Sequence, residues 1–395
     1  MGIKPYMKQR ISDIFKRIST AIFPALFALV IVTACGKGPE SAVTTYKKTG
    51  ELELKYADQL FVDFYEGGYT HIHIEDGTDY VLVPEGQSDS DLGLNNPVIV
   101  HQPLKDIYLA ASSAMDFFVT LDSLDMIRSC STSASDYSID QVKRAIEEGK
   151  IDYVGKYSAP DYERIISSQC NIAIESTMIT HSPEIKEELT RLGIPVMVER
   201  SSYEKDPMGR LEWIKLYGVL LGKQKEAEEF FDTQEDKLLE VKASLEEASA
   251  NSEARPSVAF FYISSNGYIN VRKPGDYISS MIEMAGGRYC LSDLKVQNEN
   301  ALSTMNINWE DFYELAHDAD ILIYNGTIEG ELSSVEDLKD KNPLFADFKA
   351  VKDGKVYCTN ADMFQKSSSI VDVVVDMYKV ISAQDCADLK YIIRL

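Results

Sequence analysis

Apolar side chains recur at three-, four- and seven-residue spacings through residues 223–250, with charged side chains opposite them. The stripe consists of Ala227, Phe230, Phe231, Leu238, Leu239, Val241 and Leu245. This spacing is typical of an amphipathic helix, and at about 1.5 Å per residue the helix would extend roughly 40 Å. Because that length exceeds a small domain, we expect one helix that crosses between two folded bodies. A core helix of a single domain is the alternative.

Apolar and polar positions alternate in four short runs ahead of this helix. The runs are ELELKY (51–56), QLFVDFY (59–65), THIHIED (70–76) and DYVLVPEG (79–86). Gly67-Gly68 and Asp76-Gly77 supply turn residues between runs. The alternation predicts strands joined by tight turns, and therefore a small antiparallel β-extension.

A different pattern begins at Val98, where short apolar runs alternate with helical stretches. The runs before the long helix are 107–110, 126–127, 151–155, 171–176 and 194–199. The same alternation restarts at Pro256 with runs at 257–263, 319–327 and 355–359. Two more helices are expected around residues 370–381 and near the chain end. This βα alternation predicts a parallel sheet covered by helices on each side of the long helix.

Two phrases in the two halves are alike. DYERII, from Asp161, precedes the apolar run CNIAIES, and NWEDFY, from Asn308, precedes ADILIYN. Each is an acidic amphipathic helix that leads into an apolar strand. We interpret the pair as a weak internal duplication of one α/β unit.

The N-terminus has the three regions of a secretory signal peptide. Five basic side chains precede an uncharged stretch at 18–34, and the small residues VTA precede Cys35. VTAC resembles the lipobox of bacterial lipoproteins, which implies cleavage before Cys35 and a lipid on its thiol. A transmembrane anchor is the alternative, although 17 uncharged residues containing Pro24 are short for a bilayer that needs about 20. Residues 36–50 are small and polar, which predicts a flexible tether.

Charge and cysteine content exclude several classes of protein. The chain carries a formal charge of −23, and loss of residues 1–34, with five basic side chains and one acid, would make it −27. Such acidity argues against a nucleic-acid partner. The five cysteines after Cys35 show no C-x-x-C spacing, which argues against a disulfide framework or a structural zinc site.

Several segments, taken in order, resemble the substrate-binding lipoproteins of ABC importers for iron siderophores, heme and cobalamin. The segments are VGKYSAPDYERIISSQCNIAIEST, GIPVMVERSSY, LYGVLLGKQKEAEEFF, MIEMAGG, WEDFYELAHDADILIYN and FKAVKDGKVYC, within residues 98–381. The resemblance implies an α/β protein with two doubly wound, Rossmann-like lobes joined by one long rigid helix. It further implies a monomeric receptor on the outer face of the cell membrane, anchored by lipid, without a cofactor of its own. The β-extension is longer than is usual in that family.

The resemblance also implies what such a receptor does. It would capture an iron siderophore, heme or a corrinoid between its lobes and deliver it to a permease dimer in the membrane. A free metal-ion or oxyanion receptor, a surface adhesion lipoprotein and an exported hydrolase are the alternatives. The expected segments are a signal peptide at 1–34, a tether at 35–50, a first lobe with extension at 51–204, a helical linker at 205–255 and a second lobe at 256–395.

Ligands of open α/β sheets bind beyond the carboxyl ends of the strands, so candidate ligand-binding residues follow the predicted strands. They are Ser112, Ser113, Tyr157, Glu175, Arg200, Tyr203, Ser265, Asn266, Arg272, Tyr277 and Asn325. Arg200 and Arg272, if they face each other, would hold a carboxylate-bearing ligand by charge-assisted hydrogen bonds. The alternatives are ion pairs of Arg200 with Glu199 or Glu204, and of Arg272 with Asp276.

Catalytic and metal-binding signals are few. The chain contains no G-x-S-x-G, Walker, dinucleotide or H-E-x-x-H motif, so we expect no enzyme activity. His71 and His73 stand two apart on a predicted strand and therefore share one face. A metal receptor would be expected to draw several His and carboxylate ligands from both lobes. We therefore favour a solvated strand face for the pair and expect no metal site.

The repeated phrase places Glu163 and Glu310 near the start of a helix in each half. By resemblance, these two glutamates would dock onto arginines of the two permease subunits. The alternative needs no partner, because an acid in the first turn of a helix is stabilised by the helix dipole, by about 0.3–1 kcal/mol.

Overall fold

Five strands at the start of the described chain form a sheet of their own, here named the extension sheet. The computed structural model describes residues 46–90, 92–249, 255–295, 303–384 and 388–395. The strands are β1 (Lys48–Glu51), β2 (Leu60–Tyr65), β3 (Thr70–Ile74), β4 (Thr78–Val83) and β5 (Val98–His101), paired in that order. All pairs are antiparallel except β4 with β5. The predicted antiparallel extension is confirmed.

Its first strand differs from the prediction. β1 lies at Lys48–Glu51 and not at 51–56, so it begins inside the predicted tether. The reason is that the backbone N–H groups of residues 55–59 do not enter a strand ladder. Three of them donate to the carboxylate of Glu212, and two donate to that of Glu204. Tertiary hydrogen bonds have replaced the strand that alternation alone predicts.

The first lobe is built on a five-stranded parallel sheet. Its strands are β6 (Ile107–Leu109), β7 (Ile127–Cys130), β8 (Asp152–Tyr153), β9 (Ala173–Ser176) and β10 (Val196–Glu199), in the order β10-β9-β6-β7-β8. Its helices are α1 (Met115–Thr120), α2 (Asp140–Glu147), α3 (Tyr162–Ser167) and α4 (Pro183–Arg191). One sheet face packs against α3 and α4, and the other joins the main core. The predicted doubly wound lobe is confirmed.

Two helices follow the first lobe, α5 (Pro207–Leu221) and α6 (Gln224–Ser249). Gly222 separates them and adopts the left-handed conformation (φ 68°) that favours glycine. A side chain at Gly218 would bring its Cβ within 2.7 Å of Ala227 Cβ, so glycine permits the close packing of α5 on α6. α5 is almost entirely buried, and the sequence pattern did not set it apart from the linker.

α6 passes from the first lobe to the second. The Lys223 ammonium, just before its start, donates to the carbonyl oxygens of Leu121 and Asp122 in the first lobe, at 2.6 and 2.8 Å. Farther along, Lys237 forms an ion pair with Asp372 of the second lobe at 3.1 Å. The predicted single long helix that crosses between two bodies is therefore confirmed.

The second lobe has a mixed sheet in the order β14-β12-β11-β15-β16-β17, with β13 also paired to β11. Its strands are β11 (Ser257–Ile263), β12 (Ile269–Arg272), β13 (Arg288–Tyr289), β14 (Thr304–Ile307), β15 (Ile321–Tyr324), β16 (Val356–Thr359) and β17 (Ile392–Arg394). Its helices are α7 (Tyr277–Met284), α8 (Trp309–Ala316), α9 (Gly326–Glu329), α10 (Val335–Lys341), α11 (Lys349–Lys352) and α12 (Ile370–Ile381). The predicted helix around residues 370–381 is confirmed as α12.

The second predicted helix, near the chain end, is wrong. The described residues there contain the strand β17, which pairs antiparallel with β16. Asp376 of α12 prepares this pairing, because one of its carboxylate oxygens accepts the backbone N–H groups of Lys390 and Tyr391 at 2.8 and 2.6 Å. The short apolar run therefore forms β17, the strand at the edge of the sheet beside β16.

Some predictions concern residues outside the described ranges. These are the signal peptide at 1–34, the lipid on Cys35 and the tether residues 36–45. Among the described helices, none has both the length and the apolar character needed to cross a membrane. The described cysteines, Cys130, Cys170, Cys290 and Cys358, are free thiols, in line with the lack of C-x-x-C spacing.

Candidate functional site

The two lobes meet where the segment after β16 touches the first lobe. The Ser367 hydroxyl donates to the carbonyl oxygen of Ser113 at 2.8 Å. The backbone N–H of Ser368 donates to the Asp116 carboxylate, also at 2.8 Å. Ser113 follows β6, and Asp116 lies in the first turn of α1. The segment after the central strand β6 of the first lobe therefore contacts the segment after β16 of the second lobe.

Gln365 extends this junction to the segment after β7. Its amide oxygen accepts the backbone N–H of Ser138 at 2.7 Å, and its amide nitrogen donates to the carbonyl oxygen of Asp136 at 2.7 Å. Gln365, Ser367 and Asp116 are not among the ligand-binding residues expected from the sequence. The available signal was the polar run that follows the predicted strand at 355–359. The rule that ligand-binding residues follow the strands would have included this polar run.

Asp116 is the buried carboxyl group of the junction. It is 5% exposed, and burial raises its pKa, while the hydrogen bonds from Ser368 act in the opposite direction. Separation of the lobes would remove the Ser368 donor and hydrate the carboxylate. The ionisation of Asp116 is thus linked to contact between the lobes.

Arg272 lies buried beside the junction and not free in it. Its guanidinium binds Asp276 through two hydrogen bonds of 2.8 and 2.9 Å, and the residue is 8% exposed. Two guanidinium groups lie near the Tyr277 ring, that of Arg210 3.9 Å from the ring centroid and that of Arg272 5.0 Å away. The alternative pairing with Asp276 is the one observed. The Phe364 ring, 6.4 Å from Tyr277, connects this cluster to the junction.

Arg200 points toward the extension sheet. Its guanidinium donates to the side-chain oxygen of Gln59 at 3.2 Å and lies 4.1 Å from the centroid of the Tyr203 ring. Glu199 and Glu204 accept other hydrogen bonds, from the Ser201 N–H and from the Trp213 indole respectively. The prediction that two arginines face each other across the cleft is therefore not met by this structure.

Glu175 is enclosed within the first lobe. It lies in β9 on the face covered by α3 and α4, is 0% exposed, and neither carboxylate oxygen has a hydrogen-bond partner among the described residues. Burial raises its pKa to about 8, so the group is mostly protonated at neutral pH. The expectation that it opens into the cleft does not match this position.

The remaining candidates occupy the carboxyl edges of both sheets. Ser112 is half-buried in the 3₁₀ turn after β6, and Tyr157 packs at the edge of the first lobe's smaller core. Ser265 and Asn266 are exposed in the β11–β12 turn, where the Ser265 N–H donates to Glu329 at 3.1 Å. Asn325 is buried and caps α9.

Glu163 and Glu310 occupy equivalent places. Each is exposed and is the second residue of its helix, α3 or α8. α3 leads into β9, which lies beside β6, the first strand of the first lobe's sheet. α8 leads into β15, which lies beside β11, the first strand of the second lobe. Helices that connect parallel strands run opposite to them, so both glutamates lie at the carboxyl edge of their sheet.

A model of the family described as periplasmic binding protein matches residues 125–363, more than half of the chain. The chain belongs to the periplasmic binding protein family. This family comprises the substrate-binding proteins of ABC importers, which work outside the cytoplasm and are binding proteins and not enzymes.

Individual similarities agree with this assignment. An uncharacterized lipoprotein of Methanocaldococcus jannaschii is 29% identical over 239 residues, which cover 59% of this chain and 53% of that protein; the match thus spans about half of the relative. A periplasmic heme-binding protein from Pseudomonas aeruginosa shares the fold at 17% identity, TM-score 0.56, with coverage of 73% and 95%. A petrobactin-binding protein from Bacillus subtilis does so at 15% identity, TM-score 0.57, with coverage of 78% and 95%.

Proposed function

We propose that this protein is a lipid-anchored receptor that captures a bulky iron chelate, heme or a corrinoid between its lobes and delivers it to an ABC importer. The observation that carries the proposal is the junction at which the segments after β6 and β7 contact the segment after β16. The structural neighbours that bind heme and petrobactin support this class of ligand.

The bonds across the junction suit a site that opens. They are made by Ser113, Asp116, Ser138, Gln365 and Ser367, together with nearby backbone groups. Water can replace each such hydrogen bond, so its net contribution is only about 0.5–1.5 kcal/mol, or about 1.5–3 kcal/mol where a charged group takes part. The Tyr277 and Phe364 rings and the Arg272 guanidinium lie behind the junction. Of these, the half-buried Phe364 ring would offer apolar surface to a large planar ligand, whereas Arg272 is held by Asp276.

Ligand titration of the mature chain tests the ligand class. Hemin, cobalamin and ferric siderophores are added separately, with absorbance and thermal unfolding as the two measurements. A ligand present at about 100 times its Kd should stabilise the protein by about 2.7 kcal/mol. Gln365→Ala should alter the affinity, because Gln365 lies at the junction. Stabilisation only by free metal ions or oxyanions, or turnover of a generic ester, would contradict this class in favour of the alternatives.

Delivery to the permease is assigned to Glu163 and Glu310. We expect the double variant Glu163→Ala/Glu310→Ala to bind ligand normally, to remain nearly as stable as the wild type, and to lose uptake in cells. Charged groups at the rim of an interface set orientation and association rate, and a two-lobed receptor needs one contact on each lobe.

A matched control removes the same kind of charge away from the helix starts. Glu147 of α2 and Glu283 of α7 are exposed glutamates in the last turn of their helices, one in each lobe. Glu147→Ala/Glu283→Ala should transport normally. Normal uptake by the Glu163/Glu310 variant at wild-type receptor levels would show that these two glutamates serve only as helix starts.

The anchor is assigned to Cys35. Cys35→Ser should leave the folded lobes intact and move the protein from the membrane fraction to the soluble fraction in detergent-phase partitioning. Retention in the membrane would indicate that residues 18–34 form a transmembrane helix. The naming of a relative as a lipoprotein supports the lipid.

A further inference from the structure

Three side chains with metal-binding atoms converge on the outer face of the extension sheet. His71 and His73 belong to β3, and Asp79 belongs to β4. His71 Nε2 and His73 Nδ1 each lie 2.8 Å from the same oxygen, Oδ1 of Asp79. The three atoms all lie within 4.8 Å of one another.

The strand register fixes this arrangement. His73 lies directly opposite Asp79 across the β3–β4 pair, and His71 is two residues away on the same face. The register is held from the other face, because Ile72, Ile74 and Tyr80 are buried in the main core. A slip by one residue would expose these three side chains, so the three donors are held on a rigid support.

The surroundings enclose one side of the cluster and leave another open. His71 is 6% exposed, so the expectation of a solvated strand face is wrong for this residue. The Phe61 ring stacks on His73 at 4.6 Å between centroids and meets His71 edge-on at 5.8 Å. Val81, opposite His71 in β4, belongs to a small apolar cluster on the same face. His73 and Asp79 are only half-buried, which leaves a path for an ion and its water.

The heavy-atom positions come close to those of a metal site. Zinc binds imidazole nitrogen and carboxylate oxygen at about 2.0–2.2 Å, and tetrahedral coordination then places neighbouring ligand atoms about 3.4 Å apart. The separations of 2.8 Å from Asp79 Oδ1 to each imidazole nitrogen are about 0.6 Å shorter than this, and the two nitrogens lie within 4.8 Å of each other. Asp63, opposite His71 on β2, adds a second carboxylate near the cluster and is paired with Lys48 at 2.8 Å.

We propose that His71, His73 and Asp79 bind a divalent first-row transition metal of the zinc class, with the remaining positions filled by water or another ligand. Two imidazoles and one carboxylate are a ligand set that such ions accept. The site is separate from the junction between the lobes, so it does not depend on the proposed transport function. An ion there would join β3 to β4 through side chains and stabilise the extension sheet.

Cobalt binding tests the site directly. The mature chain is freed of metal with a chelator and titrated with Co²⁺, whose visible absorption reports coordination, and Zn²⁺ is then added as a competitor. We expect one equivalent of Co²⁺ to bind and Zn²⁺ to displace it. His73→Ala and Asp79→Asn should each weaken binding by more than about 100-fold, because changes that merely reorient a metal ligand cost 10–100-fold.

The control variant is His101→Ala. It removes another imidazole that lies near an acid, Asp89, at 3.1 Å, but His101 is exposed, and Asp89 is its one acidic partner among the described residues. The affinity of the His101→Ala variant for Co²⁺ should equal that of the wild type. His71 is left unchanged because it is buried, and Asp79→Asn keeps the shape of the side chain, so circular dichroism can confirm that the variants fold.

Several outcomes would overturn the proposal. They are failure of the wild type to bind Co²⁺, equal binding by wild type, His73→Ala and Asp79→Asn, or equal loss in His101→Ala. Loss of Co²⁺ in Gln365→Ala with retention in His73→Ala would place the ion between the lobes. Hemin or chelate binding that persists in His73→Ala, while Co²⁺ binding is lost, would support two separate sites.

Discussion

Among the described residues, two glutamates are 0% exposed, and their surroundings are opposite. Glu212 of α5 accepts hydrogen bonds from the backbone N–H groups of residues 55–57, at 2.8–3.0 Å, and from the Lys215 ammonium at 2.8 Å. Glu175 of β9 has no partner for either oxygen among the described residues. The Glu212 carboxylate holds residues 55–57 in place. The Glu175 carboxyl group lies under α3 and α4 without a hydrogen-bond partner among the described residues.

The difference shows how this fold accommodates a buried acid. At Glu212, donors are already in place, and Lys215 is itself held over the Phe231 ring at 4.3 Å. Glu204, just before α5, accepts the N–H groups of Asp58 and Gln59 and the Trp213 indole, so Glu204 and Glu212 together fix residues 55–59. At Glu175 no donor compensates for lost hydration, and the acid remains protonated.

The largest effect is expected when the buried carboxylate of Glu212 is removed. Glu212→Ala should lower the free energy of unfolding by about 3–5 kcal/mol, because it leaves the Lys215 ammonium buried without its acid and three N–H groups without an acceptor. Urea unfolding monitored by fluorescence measures the change.

The matched control is Glu175→Ala, which removes an equally buried acid that has no bonds to lose. It should cost only what the cavity costs. If both variants lose the same stability, burial alone and not the set of donors determines the role of these acids, and the comparison fails.

The second test uses pH. The pKa of Glu175 is raised to about 8 by burial, whereas an unfolded glutamate titrates near 4.5. Below pH 4.5 both states are protonated, and the group has no effect on stability. Between the two values only the unfolded state ionises, so the wild type should lose about 1.4 kcal/mol per pH unit relative to Glu175→Gln.

Between pH 5.5 and 7.5, the wild type should therefore fall behind Glu175→Gln by about 3 kcal/mol. Denaturant unfolding of both proteins at the two pH values measures the gap. A gap that does not change with pH would mean that Glu175 acquires a donor or water in solution and keeps an ordinary pKa.

Much of the fold followed from periodicity, because periodicity records which face of an element is buried. α6, the extension strands β2–β4 and the alternation of the lobes were predicted in this way. β1 was misplaced because residues 51–56 alternate like a strand, while the N–H groups of Lys55 and Tyr56 donate to Glu212, 157 and 156 residues away. No local pattern carries information about such a contact.

The candidate site shows the same limit. Glu163 and Glu310 were singled out because a phrase is repeated, and a repeat is visible in one sequence; their docking role stays a prediction. Glu175 was misjudged, because both faces of a doubly wound sheet are covered and a polar residue at a strand end can point into either cover. From the sequence, Arg272 could bind either the ligand or Asp276, and the structure shows the ion pair with Asp276.

The smallest expected effect concerns the side chain of Tyr56, in the segment that Glu212 holds. The Tyr56 hydroxyl donates to Glu235 of α6 at 2.7 Å, and its ring lies 6.1 Å from that of Phe231. Burial, with help from Glu235, raises the pKa of Tyr56 to about 12, so the hydroxyl remains a donor throughout the range from pH 6 to 9. Tyr56→Phe keeps the ring and removes only this bond. The free energy of unfolding should fall by about 0.5–1.5 kcal/mol, and by the same amount at pH 6 and at pH 9. A loss as large as that of Glu212→Ala would show that the contact with α6, and not the buried carboxylate of α5, holds the start of the extension in place.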